Sequence, residues 1–232
     1  MIKTIDHKKM GISEQGWLHS IFHFSFAEYY NPNNMNFGAL RVVNDDIFDA
    51  GNGFGTHPHQ NMEIVSYVID GVLTHKDSMG NQRELTRGQV QYMSAGTGIT
   101  HSELNLTKDP ARFLQIWILP DAKGYTPNYG DYRFDWNERV NKWLHIVSGE
   151  QGNAPIKIHQ DMNIYVVELD AGNSMKHTLA DGRQAYLIQI EGNGEINGQP
   201  LYAKDAAEII DESITIKAKD KSHYILFDMV KQ

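Results

Sequence analysis

The feature of this 232-residue chain that most restricts its fold is a long-period internal repeat. Asp49-Ala50-Gly51-Asn52 returns as Asp170-Ala171-Gly172-Asn173, an offset of 121 residues. At that offset Asp70-Gly71 meets Glu191-Gly192, each closing an apolar run. Leu85-Thr86-Arg87-Gly88 is then answered by Leu201-Tyr202-Ala203-Lys204-Asp205, one residue longer in the second copy. A period this long is that of a whole small domain, so the chain reads as two related units. Both units read as β. Short apolar runs at 64–69, 90–93, 113–119, 165–169, 185–190, 214–216 and 224–229 alternate with turn signals such as Met79-Gly80-Asn81 and Asn197-Gly198. Helical periodicity is confined to 136–143. The expectation is an all-β chain with barrels at 1–120 and 144–232 and a linker over 121–143, where Pro, Gly and Tyr are concentrated.

Composition narrows the partners. With 29 acidic and 21 basic side chains the formal charge is −8, and no Lys/Arg cluster is denser than Lys8-Lys9. Such a field repels a phosphate backbone, so direct nucleic-acid binding is not expected. The chain has no cysteine, which excludes disulfides, thiol catalysis and Cys-ligated metals. The first residues carry no apolar signal core, and the most apolar stretch, 113–119, is too short to span a bilayer. The expected location is the cytoplasm, away from membranes.

Chemistry concentrates in the first copy, in His57-Pro58-His59 and His101-Ser102-Glu103. Alternate residues of a strand share a face, so each triplet offers two ligands on one side. Two such strands facing each other inside a barrel make a four-ligand cage. Imidazoles with one carboxylate suit Fe(II), Ni, Co, Cu or Zn better than Mg or Ca. Four protein ligands leave space at the ion for solvent, substrate or dioxygen.

The surroundings of these triplets resemble a known family. Gly51 stands six residues before His57 and Glu63 four after His59; Gly96-Thr97-Gly98 precedes His101 and Asn105 follows it. This is similar to the two cupin motifs. Within cupins the chain resembles pirin-like proteins through Thr56-His57-Pro58-His59, Glu63-Ile64-Val65-Ser66-Tyr67, His75-Lys76-Asp77-Ser78-Met79-Gly80, the run 91–103 and Leu114-Gln115-Ile116-Trp117. The run Phe24-Ser25-Phe26-Ala27-Glu28-Tyr29-Tyr30-Asn31-Pro32 resembles the bacterial branch. The likeness is close over most of 15–120 and architectural beyond. It implies a bicupin, two jelly-roll-like barrels, with one divalent metal, usually iron, in the first. It also implies a dioxygenase that opens the heterocycle of flavonols such as quercetin with O2 and releases CO. His57, His59, His101 and Glu103 would be the ligands, with Glu103 also the base for the substrate hydroxyl. The general cupin pattern instead chooses Glu63, which has the strand parity of His57 and His59. The animal member implies an alternative, a non-enzymatic metal- or redox-responsive binding protein; a cupin isomerase or hydrolase is a third reading.

The second copy lacks the ligands. At the offset of 121, His57 falls on Thr178, His59 on Ala180 and Glu63 on Gln184. With the hairpin shortened by four, His101 falls on Ala218 and Glu103 on Asp220. A metal-free second barrel is expected. The other histidines read as structural: His19 and His23 beside an alternating segment, His75 making a turn hydrogen bond in a hairpin, His177 next to a lost ligand position, and His7, His145, His159 and His223 at surfaces or boundaries.

Overall fold

A computed structural model describes residues 1–231. Nearly all regular structure is β, paired antiparallel, and it divides into two compact units. The first, Gly11–Phe134 with Ile158–Gln160, sets a seven-stranded sheet with a four-stranded one. Its larger sheet runs in the order Asn128–Tyr132, Val90–Ser94, Glu63–Asp70, Ala111–Ile118, Leu40–Phe48, Leu18–Phe22, Gly11–Glu14. Its smaller sheet runs Gly53–His59, Ile99–Leu104, Val72–Asp77, Gln82–Thr86. The second unit repeats the plan, with Arg183–Glu191 and Ser222–Val230 central to a seven-stranded sheet and Ser174–His177 at the edge of a four-stranded one. These are the two cupin barrels.

The unit boundaries differ from those expected. Met1–Met10 belongs to the second unit, because Ile2–Ile5 pairs with Ala206–Ile210. The expected linker contains a strand, Asn128–Tyr132, which pairs with Val90–Ser94 and carries the first unit on to Phe134. The expected helix at 136–143 is a single 3-10 turn, Trp136–Arg139. Asp135 caps it by accepting from the Asn137 amide, and Asn141 leaves it with φ 55. Arg139 is buried with its guanidinium over the Trp136 ring, so packing rather than helical repetition holds the segment. No helix among the described residues is long and apolar enough to cross a membrane.

Strand pairing makes the repeat exact enough to correct its register. Tyr67 pairs with Val90 as Ile188 pairs with Ala206. Lys204 therefore answers Gly88, and both take left-handed φ, 75° and 78°. The second-copy turn is not longer; a lysine adopts the backbone a glycine adopts in the first. Leu73 pairs with Leu85 as Gly194 pairs with Leu201, so five residues are missing from the second hairpin. Glu103 opposes Phe54 as Ile216 opposes Met175, so three more are missing from the turn after it. The counterparts of His101 and Glu103 are thus Ile214 and Ile216, not Ala218 and Asp220. Both isoleucines lie in the apolar core of the second barrel.

Candidate metal centre

His57 and His59 lie on Gly53–His59, and His101 opposes His57 across the ladder to Ile99–Leu104. Parity turns the three imidazoles to one side, and their ring centroids stand 4.5–4.9 Å apart. One nitrogen from each falls within 4.8 Å of the others. His57 Nδ1 lies 2.7 Å from the Gly55 carbonyl, which can only accept. The proton therefore sits on Nδ1, and Nε2 presents a lone pair. That Nε2 points at His101 Nε2, 3.1 Å away. Burial, reinforced by His101 and His57, pushes the His59 pKa down to about 4. Burial, reinforced by His57 and His75, pushes His101 down to about 3. Neutral, convergent nitrogens are what a divalent transition cation requires, so the donor set fits.

Glu103 is placed differently from its partners. A register shift between His101 and Glu103 sets the carboxylate opposite Phe54 on one side and His75 on the other. Gly53 permits this approach, since a Cβ there would run into the Glu103 carbonyl. Glu103 is fully buried and groups with His101 and His75 rather than with the whole trio. Ser66 Oγ and Gln91 Nε2 donate to its Oε1, each at 2.8 Å, and Gln115 Nε2 donates to Oε2. A carboxylate offers about four lone-pair sites, so these three donors leave room for one more ligand on Oε2.

Glu63 lies elsewhere. It accepts from Ser94 Oγ at 2.7 Å and from the His159 amide at 3.2 Å. Its parity with His57 and His59 does not carry over, because the chain changes sheet between His59 and Glu63, where Asn61 has φ 49. His19 pairs with Glu14 at 2.5 Å. His75 does sit in a hairpin and bond the turn residue Asp77, as expected, but it also lies against the site. It is wholly buried, stacked on Tyr129 at 4.4 Å, and its Nε2 lies 3.1 Å from Asp77 Oδ2. Burial works to raise the Asp77 pKa, but hydrogen bonds from Asn81, His75 and Met79 outweigh it and hold the carboxyl below its usual value. Only the strand pairing of His75 with Glu103 reveals it; no motif spacing does.

Beside His57 and His59 opens a cavity of about 310 Å³ walled by Phe26, Phe54, Trp117, Asn44 and Gln115. Trp117 meets His59 edge-on at 4.9 Å and Phe26 at 5.3 Å. The Asn44 side-chain carbonyl is buried there without a partner.

Comparison with known proteins agrees with this architecture. Residues 5–118 match the family model described as pirin, and 145–229 match the quercetinase C-terminal cupin domain. A protein of Escherichia coli K12 named quercetin 2,3-dioxygenase is 44% identical over 231 residues, covering 99% of each chain. A pirin-like protein of Caulobacter vibrioides is 43% identical, covering 98% of this chain and 99% of its own. The crystal structure of the bacterial pirin YhhW from Escherichia coli in complex with nickel(II) superposes with a TM-score of 0.94 at 41% identity, covering 100% of both chains. A near relative is thus known in complex with nickel(II), and here one barrel brings three histidines together, with a buried glutamate beside His101. Two cupin barrels, one with that histidine cluster and one without it, and likeness along the whole length make this chain a member of the pirin family.

Proposed function

We propose that this chain is a metal-dependent dioxygenase that opens the heterocycle of flavonols such as quercetin, with Fe(II) as its working cation. The observation that carries the reading is an apolar, aromatic-walled cavity lined by two of the three converging imidazoles. His57, His59 and His101 hold the cation, and Glu103 completes the set through its free Oε2 position. The bound cation supplies Lewis acidity, which favours the deprotonated form of a substrate hydroxyl.

The chain supplies the rest. Phe26, Phe54 and Trp117 offer edges and faces to a planar aromatic substrate and keep water from it. The unpaired Asn44 carbonyl accepts from a second substrate hydroxyl and fixes the ring's orientation. Glu103 is the base for the hydroxyl proton, which would occupy the Oε2 position in place of the cation, and the amide donors of Gln91 and Gln115 keep its carboxyl aimed. Dioxygen and the flavonol then give a depside and carbon monoxide, and the atoms balance. The name of the Escherichia coli relative supports this substrate class. A cytoplasmic setting fits the cysteine-free sequence.

The test offers quercetin and its 3-O-methyl ether to metal-loaded protein while CO release and product mass are followed. Quercetin should yield CO and the depside, and the ether neither. Equal turnover of both would overturn the role given to the hydroxyl; turnover of neither favours the binding-protein alternative.

A further inference from the structure

His75 has no part in the four-ligand set, yet it lies against two of its members. It opposes Glu103 in the ladder between Val72–Asp77 and Ile99–Leu104, and its ring centroid is 5.4 Å from that of His101. Stacking on Tyr129 keeps the ring from turning away. Asp77 fixes which nitrogen carries the proton. Its carboxylate already accepts from the Met79 amide at 2.9 Å, the Asn81 amide at 3.0 Å and the Asn81 side chain at 2.9 Å. A carboxylate so surrounded by donors is an acceptor only, so His75 Nε2, 3.1 Å away, is its fourth donor. His75 Nδ1 is then a bare lone pair, buried and without a partner.

His101 would present the opposite deficit in the metal-loaded site. Without a cation its Nε2 donates to the His57 Nε2 lone pair, 3.1 Å away; with a cation on Nε2 the ring proton must lie on Nδ1. That Nδ1 is also buried without a partner. With the cation bound, one ring would thus hold an unsatisfied donor and its neighbour an unsatisfied acceptor. Nearly every metal-bound histidine donates its outer N–H to a fixed acceptor, which sets its tautomer and its aim. In the second barrel the counterparts of His75 and His101 are Ile196 and Ile214, so the pair is replaced as a unit by core aliphatics.

We propose that His75 is the outer acceptor of His101, so that Asp77, His75 and His101 form one hydrogen-bonded chain that orients a metal ligand. His75 is a positioning residue, and it does not touch the cation. A cation held on His101 Nε2 would leave the proton on Nδ1, the nitrogen from which His75 Nδ1 would accept. The inference rests on the metal-site reading above, and its test separates the two.

Nickel(II) affinity and stoichiometry are measured by chelator competition in the full chain, as parent, His75→Phe and His75→Gln. Phenylalanine keeps the stack on Tyr129 and removes the acceptor; glutamine restores an acceptor oxygen. All three should bind one nickel per chain. His75→Phe should bind about 10–100-fold more weakly, the usual cost of losing such a partner, with much of the loss recovered in His75→Gln. Parent affinity in His75→Phe overturns the inference alone. A folded His75→Phe that binds no nickel also overturns it, because His75 would then be a ligand. A parent that binds no nickel overturns the metal site itself. Should His75→Phe not fold, the zinc-loaded parent decides: ¹⁵N-histidine NMR should show His75 protonated at Nε2 and bare at Nδ1. A proton on His75 Nδ1 contradicts the chain.

Discussion

The two barrels share one plan and fill it with opposite chemistry. In the first, Ser66 lies between Gln91 and Gln115 in the sheet, and all three donate to or join the network around Glu103. In the second, Leu187 lies between Ala207 and Leu226, and the places of Glu103, His101 and His75 are taken by Ile216, Ile214 and Ile196. Every one of these aliphatic replacements belongs to a single apolar core. Burying a carboxylate costs several kcal/mol unless donors surround it, so the glutamate and its donors persist together or disappear together. A functional interior is thus bought from the stability that the second barrel keeps.

That contrast can be broken from either side. The largest effect is expected at the imidazoles. His57→Ala or His101→Ala should abolish stoichiometric metal binding while circular dichroism stays that of the folded chain. Retained metal at one per chain would mean that the cage is drawn wrongly.

Next comes a carboxylate moved into the apolar core of the second barrel, away from the Ser66, Gln91 and Gln115 donors. Ile216→Glu places it among Leu187, Ala207 and Leu226 and should destabilise the second barrel by about 3–5 kcal/mol, read from urea unfolding. A loss below about 1 kcal/mol would show that this core admits charge and that the donors in the first barrel are not needed for burial.

Within the first barrel, Glu103→Gln should reduce turnover roughly 100-fold or more, because it removes the proposed fourth ligand and base. Glu63→Gln disturbs contacts to Ser94 and His159 and should cost much less. The reverse ranking would restore the general cupin pattern.

The smallest expected effect is a difference between variants in their response to pH. Folded His59 and His101 protonate only near pH 4 and pH 3, whereas unfolded histidines protonate near pH 6.5. Between those values the unfolded state binds more protons, so the metal-free chain should lose stability as pH falls from about 6.5 toward 4. The urea midpoint at pH 5 should lie below that at pH 7 by more in the parent than in His101→Ala.

Much of this architecture was legible in the chain itself. The repeated Asp-Ala-Gly-Asn segments and the alternating apolar runs announce two β domains, and the two triplets announce a ligand cluster. What stayed hidden depends on pairing between distant strands. Asn128–Tyr132 looks like linker because its five residues carry little apolar weight; its partner Val90–Ser94 makes it a strand. Ile2–Ile5 joins the second unit by pairing with residues two hundred positions away. His75 stands in a family-like run that assigns it no role, and its place beside Glu103 comes only from the ladder. Strand parity misjudged Glu63 because parity holds within one strand and fails where the chain changes sheet.

The central claim is that the first barrel's metal site turns over a flavonol with dioxygen. Oxygen uptake by protein of known metal content, with quercetin added, tests it most directly beside Glu103→Gln and His101→Ala. Uptake confined to the metal-loaded parent, in proportion to its metal, is the predicted result. No uptake from parent fully loaded with iron, nickel, cobalt or copper would contradict the claim.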